Sequence, residues 1–237
     1  MPADGDRPRP DLADRRVWVF DLDNTLYPAE CDLFAEIDQR MTDFVARFLR
    51  LPRDEARAKQ KQYYAEHGTT LNGLMTLHGM EPDEFLSHVH EIDLSPLPKT
   101  PDLAEAIGAL PGRKYVYTNG SRGHAKRVTD YMGLAEVFEG SFAIEDSAFK
   151  PKPAQSSYDA FISQFDIDPA QAVFFEDLAR NLAPAHAMGF ATVLVQSEKD
   201  WSHEPAAARP AGIGDDLPSH IDYVTRDLTQ FLRSVRV

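Results

Sequence analysis

The sequence is poor in cysteine, in long apolar runs and in basic residues. Cys31 is the single cysteine among 237 residues, which excludes an internal disulfide and a Cys-x-x-Cys metal motif. No apolar run approaches the roughly 20 residues that cross a bilayer. The N-terminal stretch MPADGDRPRPDLADRR has no apolar segment typical of a secretory signal and is interpreted as a flexible tail, residues 1–16. These absences predict a cytoplasmic protein without a membrane partner.

Basic residues are fewer than acidic ones, and two common phosphate or ester motifs are missing. The chain has 25 Lys and Arg against 38 Asp and Glu, a formal net charge of −13. Such a chain repels polyanions, so we expect no nucleic acid polymer as a partner, although a local positive pocket is compatible with a small anion. The absence of Gly-x4-Gly-Lys-Ser/Thr argues against a P-loop ATPase, and the absence of Gly-x-Ser-x-Gly argues against an α/β-hydrolase.

The order of apolar patterns predicts a parallel α/β core with a helical insertion. Residues 17–21 are predicted to form a buried strand, and residues 28–94 carry helical periodicity. After the linker SPLPKTP, residues 95–101, strand and helix patterns alternate, which favours a parallel sheet with helices on both faces. We therefore predict a core formed by residues 17–27 and 95–237, interrupted by an all-helical block at residues 28–94.

Polar motifs stand at or just beyond the ends of the predicted strands, where ligands bind in open α/β sheets. They comprise a carboxylate pair, a hydroxyl and amide pair, a lysine and a second acidic pair: Asp21 and Asp23, Thr118 and Asn119, Lys150, and Glu176 and Asp177. Each motif alone has an ordinary explanation as a turn, a helix cap or a surface lysine. Together they suit a phosphate handled with Mg²⁺, which prefers oxygen ligands.

The same motifs resemble those of a known superfamily. DLDNTL, TNGS, KPKP and FFEDLARN look like the four motifs of the haloacid dehalogenase (HAD) superfamily, in the right order, over about residues 17–196. The resemblance implies a Rossmann-like core, a helical cap at residues 28–94 and Mg²⁺ as the cofactor.

The resemblance also implies roles for individual residues. Asp21 would be the nucleophile and a metal ligand. Asp23 would be the general acid/base and would also give its backbone carbonyl to Mg²⁺. Thr118 and, beside it, Asn119 would bind the phosphoryl group that is transferred, and Lys150 would bind the phosphate and steady Asp21.

On the other side of the implied metal site, Asp177 would complete the ligand set. Glu176 would act through water. Many members carry a second acid four residues after the metal aspartate, and Asn181 stands at that place here. We therefore expect Glu176 and Asn181 to support the site rather than to bind the metal directly.

The acid at Asp23 favours a phosphatase or phosphomutase, because the resemblance implies that dehalogenases lack an acid there. DLDNTLYP and the segment YYAEHGTTLNGLMTLHG, residues 63–79, resemble the pyrimidine 5′-nucleotidase branch. This predicts hydrolysis of UMP or CMP, with cap contacts from Tyr64, His67, Thr69 and Thr70. A capping turn with core aromatics explains these four residues nearly as well.

Several alternatives stay open at this point. The phosphate ester could be a sugar phosphate or phosphoglycolate, or the protein could be a β-phosphoglucomutase-like phosphomutase. A non-catalytic ligand-binding module is the alternative of another class. The sequence also leaves a homodimer open.

Overall fold

The computed structural model describes residues 9–202, 204, 209–211 and 216–235. Within them a six-stranded sheet has the order β3-β2-β1-β4-β5-β6, and every neighbouring pair is parallel. The strands are β1 (Val17–Phe20), β2 (Arg113–Tyr117), β3 (Gly140–Phe142), β4 (Ala172–Glu176), β5 (Ala191–Val195) and β6 (Tyr223–Thr225). The sheet order reverses direction at β1, and open α/β sheets bind ligands at such a switch point.

Helices cover both faces of the sheet, as the alternating pattern predicts. These helices are α5 (Pro101–Gly108), α6 (Arg122–Met132), α7 (Gln155–Phe165), α8 (Ala179–Met188) and α9 (Leu228–Ser234). Because side chains alternate along a strand, Trp18 and Phe20 enter one apolar cluster while Val17 and Val19 enter another. Helices α5, α6 and α9 contribute to the first cluster, and α7 and α8 to the second. The predicted α/β fold is confirmed.

The segment between β1 and α5 is helical. It contains α1 (Leu33–Leu49), α2 (Arg53–His67), α3 (Thr70–His78) and α4 (Pro82–His90). Their apolar faces pack together through buried side chains such as Phe44, Phe85 and Val89. Helices α2 and α3 approach closely at Gly73, where a Cβ atom would lie 2.4 Å from Cβ of Tyr63. The whole division into tail, core and cap remains a prediction.

The residues just before β1, which fall within the predicted flexible tail, contact the core. Leu12 is buried in the first apolar cluster, and the Tyr223 hydroxyl donates to the Pro10 carbonyl over 2.6 Å. The Arg16 N–H donates to the Gln171 carbonyl, which aligns the chain for β1. Residues 1–8 lie outside the described residues. No helix in the described part of the chain has the length and apolar character needed to cross a membrane.

Candidate active site

The polar residues at the carboxyl ends of β1, β2 and β4 meet in one cavity of about 300 Å³, which helices α1 to α4 also line. The Asp21 N–H donates to the Phe175 carbonyl over 2.9 Å, so parallel pairing with β4 continues to the first acid. Asn24 then adopts a left-handed conformation with φ of 61°, which asparagine tolerates better than most residues, within the turn that follows. Predicted site residues that line the cavity are Asp21, Asp23, Tyr64, Thr69, Thr70, Thr118, Asn119, Glu176, Asp177 and Asn181.

Lys152, rather than the predicted Lys150, reaches the first aspartate. Its ammonium donates to Asp21 Oδ1 over 2.7 Å, to Glu176 Oε1 over 3.0 Å and to the Tyr117 carbonyl over 2.8 Å. The side chain is only 1% exposed, so three acceptors satisfy its three donors in a buried place. Lys150 is exposed, and its predicted role is wrong.

Asn119 explains why the second lysine of KPKP enters the site. Its side-chain Oδ1 accepts from the Lys152 N–H over 2.8 Å, and its Nδ2 donates to the Lys152 carbonyl over 3.2 Å. This two-bond clamp ties the turn after β2 to the backbone of Lys152. The Asn119 amide was predicted to contact phosphate; in the structure it holds the lysine instead.

The turn after β2 presents a hydroxyl at the cavity. Thr118 Oγ1 accepts from the Gly120 N–H over 2.8 Å, so among the described residues its own O–H remains to donate to an anion. Ser121 caps α6 by accepting from the His124 N–H. A Cβ atom on Gly120 would lie 3.1 Å from His124 Cδ2 and 3.2 Å from Thr118 Oγ1, so a larger residue here would require one of these side chains to shift by a few tenths of an ångström.

Asp23 is held on one oxygen by two buried donors. The Tyr27 hydroxyl donates to Asp23 Oδ1 over 2.5 Å, and His124 Nε2 lies 2.8 Å from the same atom. Burial alone would raise the pKa of Asp23, but the His124 charge, its hydrogen bond and the Tyr27 hydrogen bond lower that pKa below its ordinary value. The two aspartates therefore stand in different environments, one bonded to lysine and the other to histidine and tyrosine.

The arrangement matches a described family. A family model for haloacid dehalogenase-like hydrolases matches residues 16–189, most of the chain. The chain belongs to this family. It is 30% identical over 219 residues to Phosphate metabolism protein 8 of Saccharomyces cerevisiae, and the match covers 83% of this chain and 66% of that protein's length.

Solved structures of the HAD fold are also similar. A HAD phosphatase from Thermococcus onnurineus superposes with a TM-score of 0.60 at 19% identity. The superposition covers 94% of this chain and 100% of that one. An L-2-haloacid dehalogenase from Xanthobacter autotrophicus gives 0.57 at 17% identity, covering 94% and 98%. These similarities establish the HAD fold, whereas the reaction has to be argued from the residues of the site.

The carboxylates of this HAD site suit a divalent cation. Oxygen atoms of Asp21, Glu176 and Asp177 lie within 4.8 Å of one another, and all three residues are buried. When all three carboxyl groups are ionised, the Lys152 ammonium offsets one of their negative charges, and a divalent cation would balance the other two. Asn24 Oδ1 and Asn181 Oδ1 are buried here without a hydrogen-bond partner among the described residues.

Burial and repulsion between like charges shift the pKa values of the acids in this cluster. Burial raises the pKa of Asp21 to about 7, with the Lys152 ammonium opposing the rise and the Glu176 charge adding to it. Burial and the charges of Glu176 and Asp21 raise the pKa of Asp177 well above its usual range. A bound cation would favour the ionised form of both groups.

Glu176 and Asn181 are hydrogen-bonded to each other beside Asp21 and Asp177. Glu176 Oε1 accepts from Asn181 Nδ2 over 2.5 Å as well as from Lys152, and its Oε2 accepts from the Leu178 N–H over 2.6 Å. Both oxygens are thus engaged, which leaves Asp21 and Asp177 as the side chains best placed for the cation. The predicted use of the Asp23 carbonyl remains a prediction.

The predicted cap contacts separate into two groups. Tyr64 lines the cavity, with the Arg180 guanidinium 4.6 Å from its ring centroid and in contact with its hydroxyl. Thr69 and Thr70 also line it, but Thr69 caps α3 and the Thr70 hydroxyl donates to the Gln60 carbonyl over 3.4 Å. His67 is absent from the described lining of the cavity.

Four residues of the site were missed from the sequence: Tyr27, His124, Lys152 and Arg180. Each lies inside or just beyond a motif that the sequence analysis used, so proximity along the chain was an available signal. Their partners, however, belong to other elements of the fold. His67 packs against Tyr63, with ring centroids 6.3 Å apart, which is the core-aromatic alternative for that residue.

Proposed function

We propose that this HAD hydrolase is a Mg²⁺-dependent phosphatase that hydrolyses pyrimidine nucleoside 5′-monophosphates through an aspartyl-phosphate on Asp21. The observation that carries the phosphatase proposal is the second acid, Asp23, held beside Thr118 at the same cavity as Asp21. An ester oxygen leaving phosphorus needs a proton, and Asp23 is placed to supply it.

Asp21 would attack phosphorus, forming a bond from its carboxylate oxygen as the ester bond breaks. A Mg²⁺ ion held by Asp21 and Asp177 would, when bound, neutralise charge on the phosphoryl oxygens. Lys152 reduces the repulsion between the Asp21 carboxylate and the anionic substrate. The Thr118 hydroxyl would donate to a phosphoryl oxygen.

Asp23 would act twice. In the first step Asp23 donates a proton to the leaving alkoxide oxygen, giving the alcohol; the negative charge of the bound phosphate would favour the protonated form of Asp23 and so oppose the His124 and Tyr27 contacts that lower its pKa. In the second step the ionised carboxylate takes a proton from water as the water oxygen bonds to phosphorus and the bond to Asp21 breaks. Two carboxylates are needed because the residue that carries the phosphoryl group cannot also carry the proton.

The cavity beyond these residues supports a small, partly apolar leaving group. Its apolar wall comes mainly from the cap helices, with Phe34, Met41, Phe85, Leu86 and Val89. Tyr64 and Gln60 add polar atoms nearby. A cavity of about 300 Å³ is at the small end for ligand sites, which favours a pyrimidine over a purine nucleoside.

Phosphate release across a panel of esters tests this proposal. The panel contains UMP, CMP, AMP, GMP, glucose 6-phosphate, phosphoglycolate and p-nitrophenyl phosphate, each with Mg²⁺ and with EDTA. We expect the largest kcat/KM for UMP or CMP, loss of turnover in EDTA, and no turnover by Asp21→Asn. Preference for a sugar phosphate or phosphoglycolate would contradict the nucleotide assignment, and absence of phosphate release from every ester would contradict the phosphatase assignment.

A further inference from the structure

The side chain of His124 occupies a place that the aspartyl-phosphate chemistry above does not use. It is fully buried, at 0% exposure, and its Nε2 lies 2.8 Å from Asp23 Oδ1. The cap residue His90 stacks on it, with ring centroids 4.4 Å apart and planes 13° apart. Its backbone N–H is fixed by Ser121 in the first turn of α6. The imidazole is therefore held in position from its backbone and from one ring face.

Tyr27 approaches the same oxygen from the chain segment that follows the first motif. The residue is 1% exposed, and its hydroxyl donates to Asp23 Oδ1. Because a carboxylate oxygen accepts, His124 Nε2 must also act as a donor. Two buried donors thus converge on Oδ1 and fix the rotation of the carboxylate.

The other oxygen of Asp23 is turned toward the turn after β2. A Cβ atom built on Gly120 would lie 3.6 Å from Asp23 Oδ2 and 3.2 Å from Thr118 Oγ1. Asp23 Oδ2 and the Thr118 hydroxyl therefore border the same small space at the cavity. Oδ1 is occupied by its two donors, so Oδ2 is the oxygen that can exchange a proton with a ligand.

We propose that His124 and Tyr27 are positioning residues, which hold Oδ1 of Asp23 so that Oδ2 faces the ester oxygen and then the attacking water. This inference rests on the proposed phosphatase function. Neither residue belongs to the described lining of the cavity, so both act through Asp23. Misplacing a proton-transferring group by a small distance costs up to about 100-fold in rate.

A matched pair of esters separates this role from a general packing role. Phenyl phosphate and p-nitrophenyl phosphate have nearly the same shape, but phenolate is the more basic leaving group and needs the proton more. Both form the same phosphoenzyme. Rapid-quench measurements with Mg²⁺ give the rate of its formation from each ester and the rate of its breakdown, in the wild type and in His124→Leu, His124→Gln and Tyr27→Phe.

We expect His124→Leu and Tyr27→Phe to slow formation from phenyl phosphate by roughly 10-fold to 100-fold, with a much smaller effect on p-nitrophenyl phosphate. Breakdown should slow by one common factor for both esters. His124→Gln, whose amide can donate near the position of Nε2, should restore most of the formation rate. Tyr27→Phe provides the same test without loss of ring volume if His124→Leu fails to fold.

Equal slowing of formation from both esters, or no rescue by glutamine, would overturn the inference while leaving the phosphatase proposal intact. A wild-type protein inert toward both esters would overturn the phosphatase proposal and this inference with it. Selectivity for a nucleotide does not enter the test, because neither ester contains a nucleoside.

Discussion

Lys152 shows how much of the site depends on one side chain. Its ammonium is buried between Asp21, Glu176 and the Tyr117 carbonyl. A buried charge with all its hydrogen-bond partners is tolerated, whereas its partners become uncompensated when it is removed. The exposed Lys150, two residues earlier, has the same chemistry and a different surrounding.

Replacing Lys152 with methionine should therefore affect both activity and stability. We expect Lys152→Met to lower kcat by about 100-fold to 1000-fold, because one electrostatic stabiliser of phosphoryl transfer is lost. We also expect a loss of about 3–5 kcal/mol in the free energy of unfolding of the metal-free protein. Steady-state kinetics and urea unfolding measure the two effects.

Lys150→Met is the matched control for that variant. It should leave kcat unchanged and alter the free energy of unfolding by less than about 0.5 kcal/mol, because its side chain is exposed. A larger loss of activity in Lys150→Met than in Lys152→Met would restore the original assignment of the third motif.

The turn between β2 and α6 is the element that brings the donors to the phosphate. Thr118, Gly120 and Ser121 each contribute a hydrogen bond or a space that a different residue type would not supply. Gly123 lies within α6, where a Cβ atom would meet only Ser121 Oγ at 4.0 Å among the described residues. The two glycines therefore differ sharply in what surrounds them.

Gly120→Ala should lower kcat by about 10-fold or more, because the new methyl group would displace Thr118 Oγ1 or the His124 ring by a few tenths of an ångström. Gly123→Ala should keep activity and stabilise the protein by up to about 1 kcal/mol, since alanine favours a helix. Kinetics and thermal unfolding of both variants check this. Equal activity in the two variants would contradict this prediction, because it would mean that the turn accommodates a methyl group at Gly120 without moving Thr118 or His124.

At this scale the sequence predicted the elements better than the contacts between them. The buried run before Asp21 and the helical periodicity within residues 28–94 were sufficient for β1 and α1, because local patterns determine such elements. The choice between Lys150 and Lys152 depended on the Asn119 clamp from another element. The partner of Asp23, His124, lies 101 positions away, and no local pattern encodes that distance.

The buried acids Asp21 and Asp177 make the stability of the whole molecule depend on pH. Asp21 has a pKa raised to about 7 in the folded metal-free protein, against an ordinary value of 3.8, and the pKa of Asp177 is raised as well. An acid whose pKa is higher in the folded than in the unfolded protein binds more protons in the folded state. The free energy of unfolding therefore falls as pH rises from the unfolded-state pKa to the folded-state pKa. The pKa of Asp23 is lowered in the folded protein, so Asp23 has the opposite effect. Its contribution to the free energy of unfolding is lost only as pH falls below this interval.

Metal-free protein should therefore be less stable at pH 8 than at pH 5. We expect Tm to fall by on the order of 5–10 °C between these values. Saturating Mg²⁺ should raise Tm more at pH 8 than at pH 5, because protons compete with the cation for the same carboxylates. Differential scanning calorimetry in EDTA and in Mg²⁺ measures both changes.

The variant Asp177→Asn controls for surface charge, because it removes one buried acid and leaves the acidic surface as it is. Its Tm should depend less on pH in EDTA and should respond less to Mg²⁺. A pH dependence equal to that of the wild type would place the effect outside this cluster.

The central claim, that Asp21 carries the phosphoryl group, is tested most directly by trapping it. In Asp23→Asn the base for the second step is absent, and p-nitrophenolate leaves without needing a proton, so the phosphoenzyme should accumulate. After mixing with p-nitrophenyl phosphate and Mg²⁺ and quenching in acid, peptide mass mapping should locate one phosphoryl group on Asp21. A burst of p-nitrophenol with no phosphoryl group on Asp21 would contradict the account.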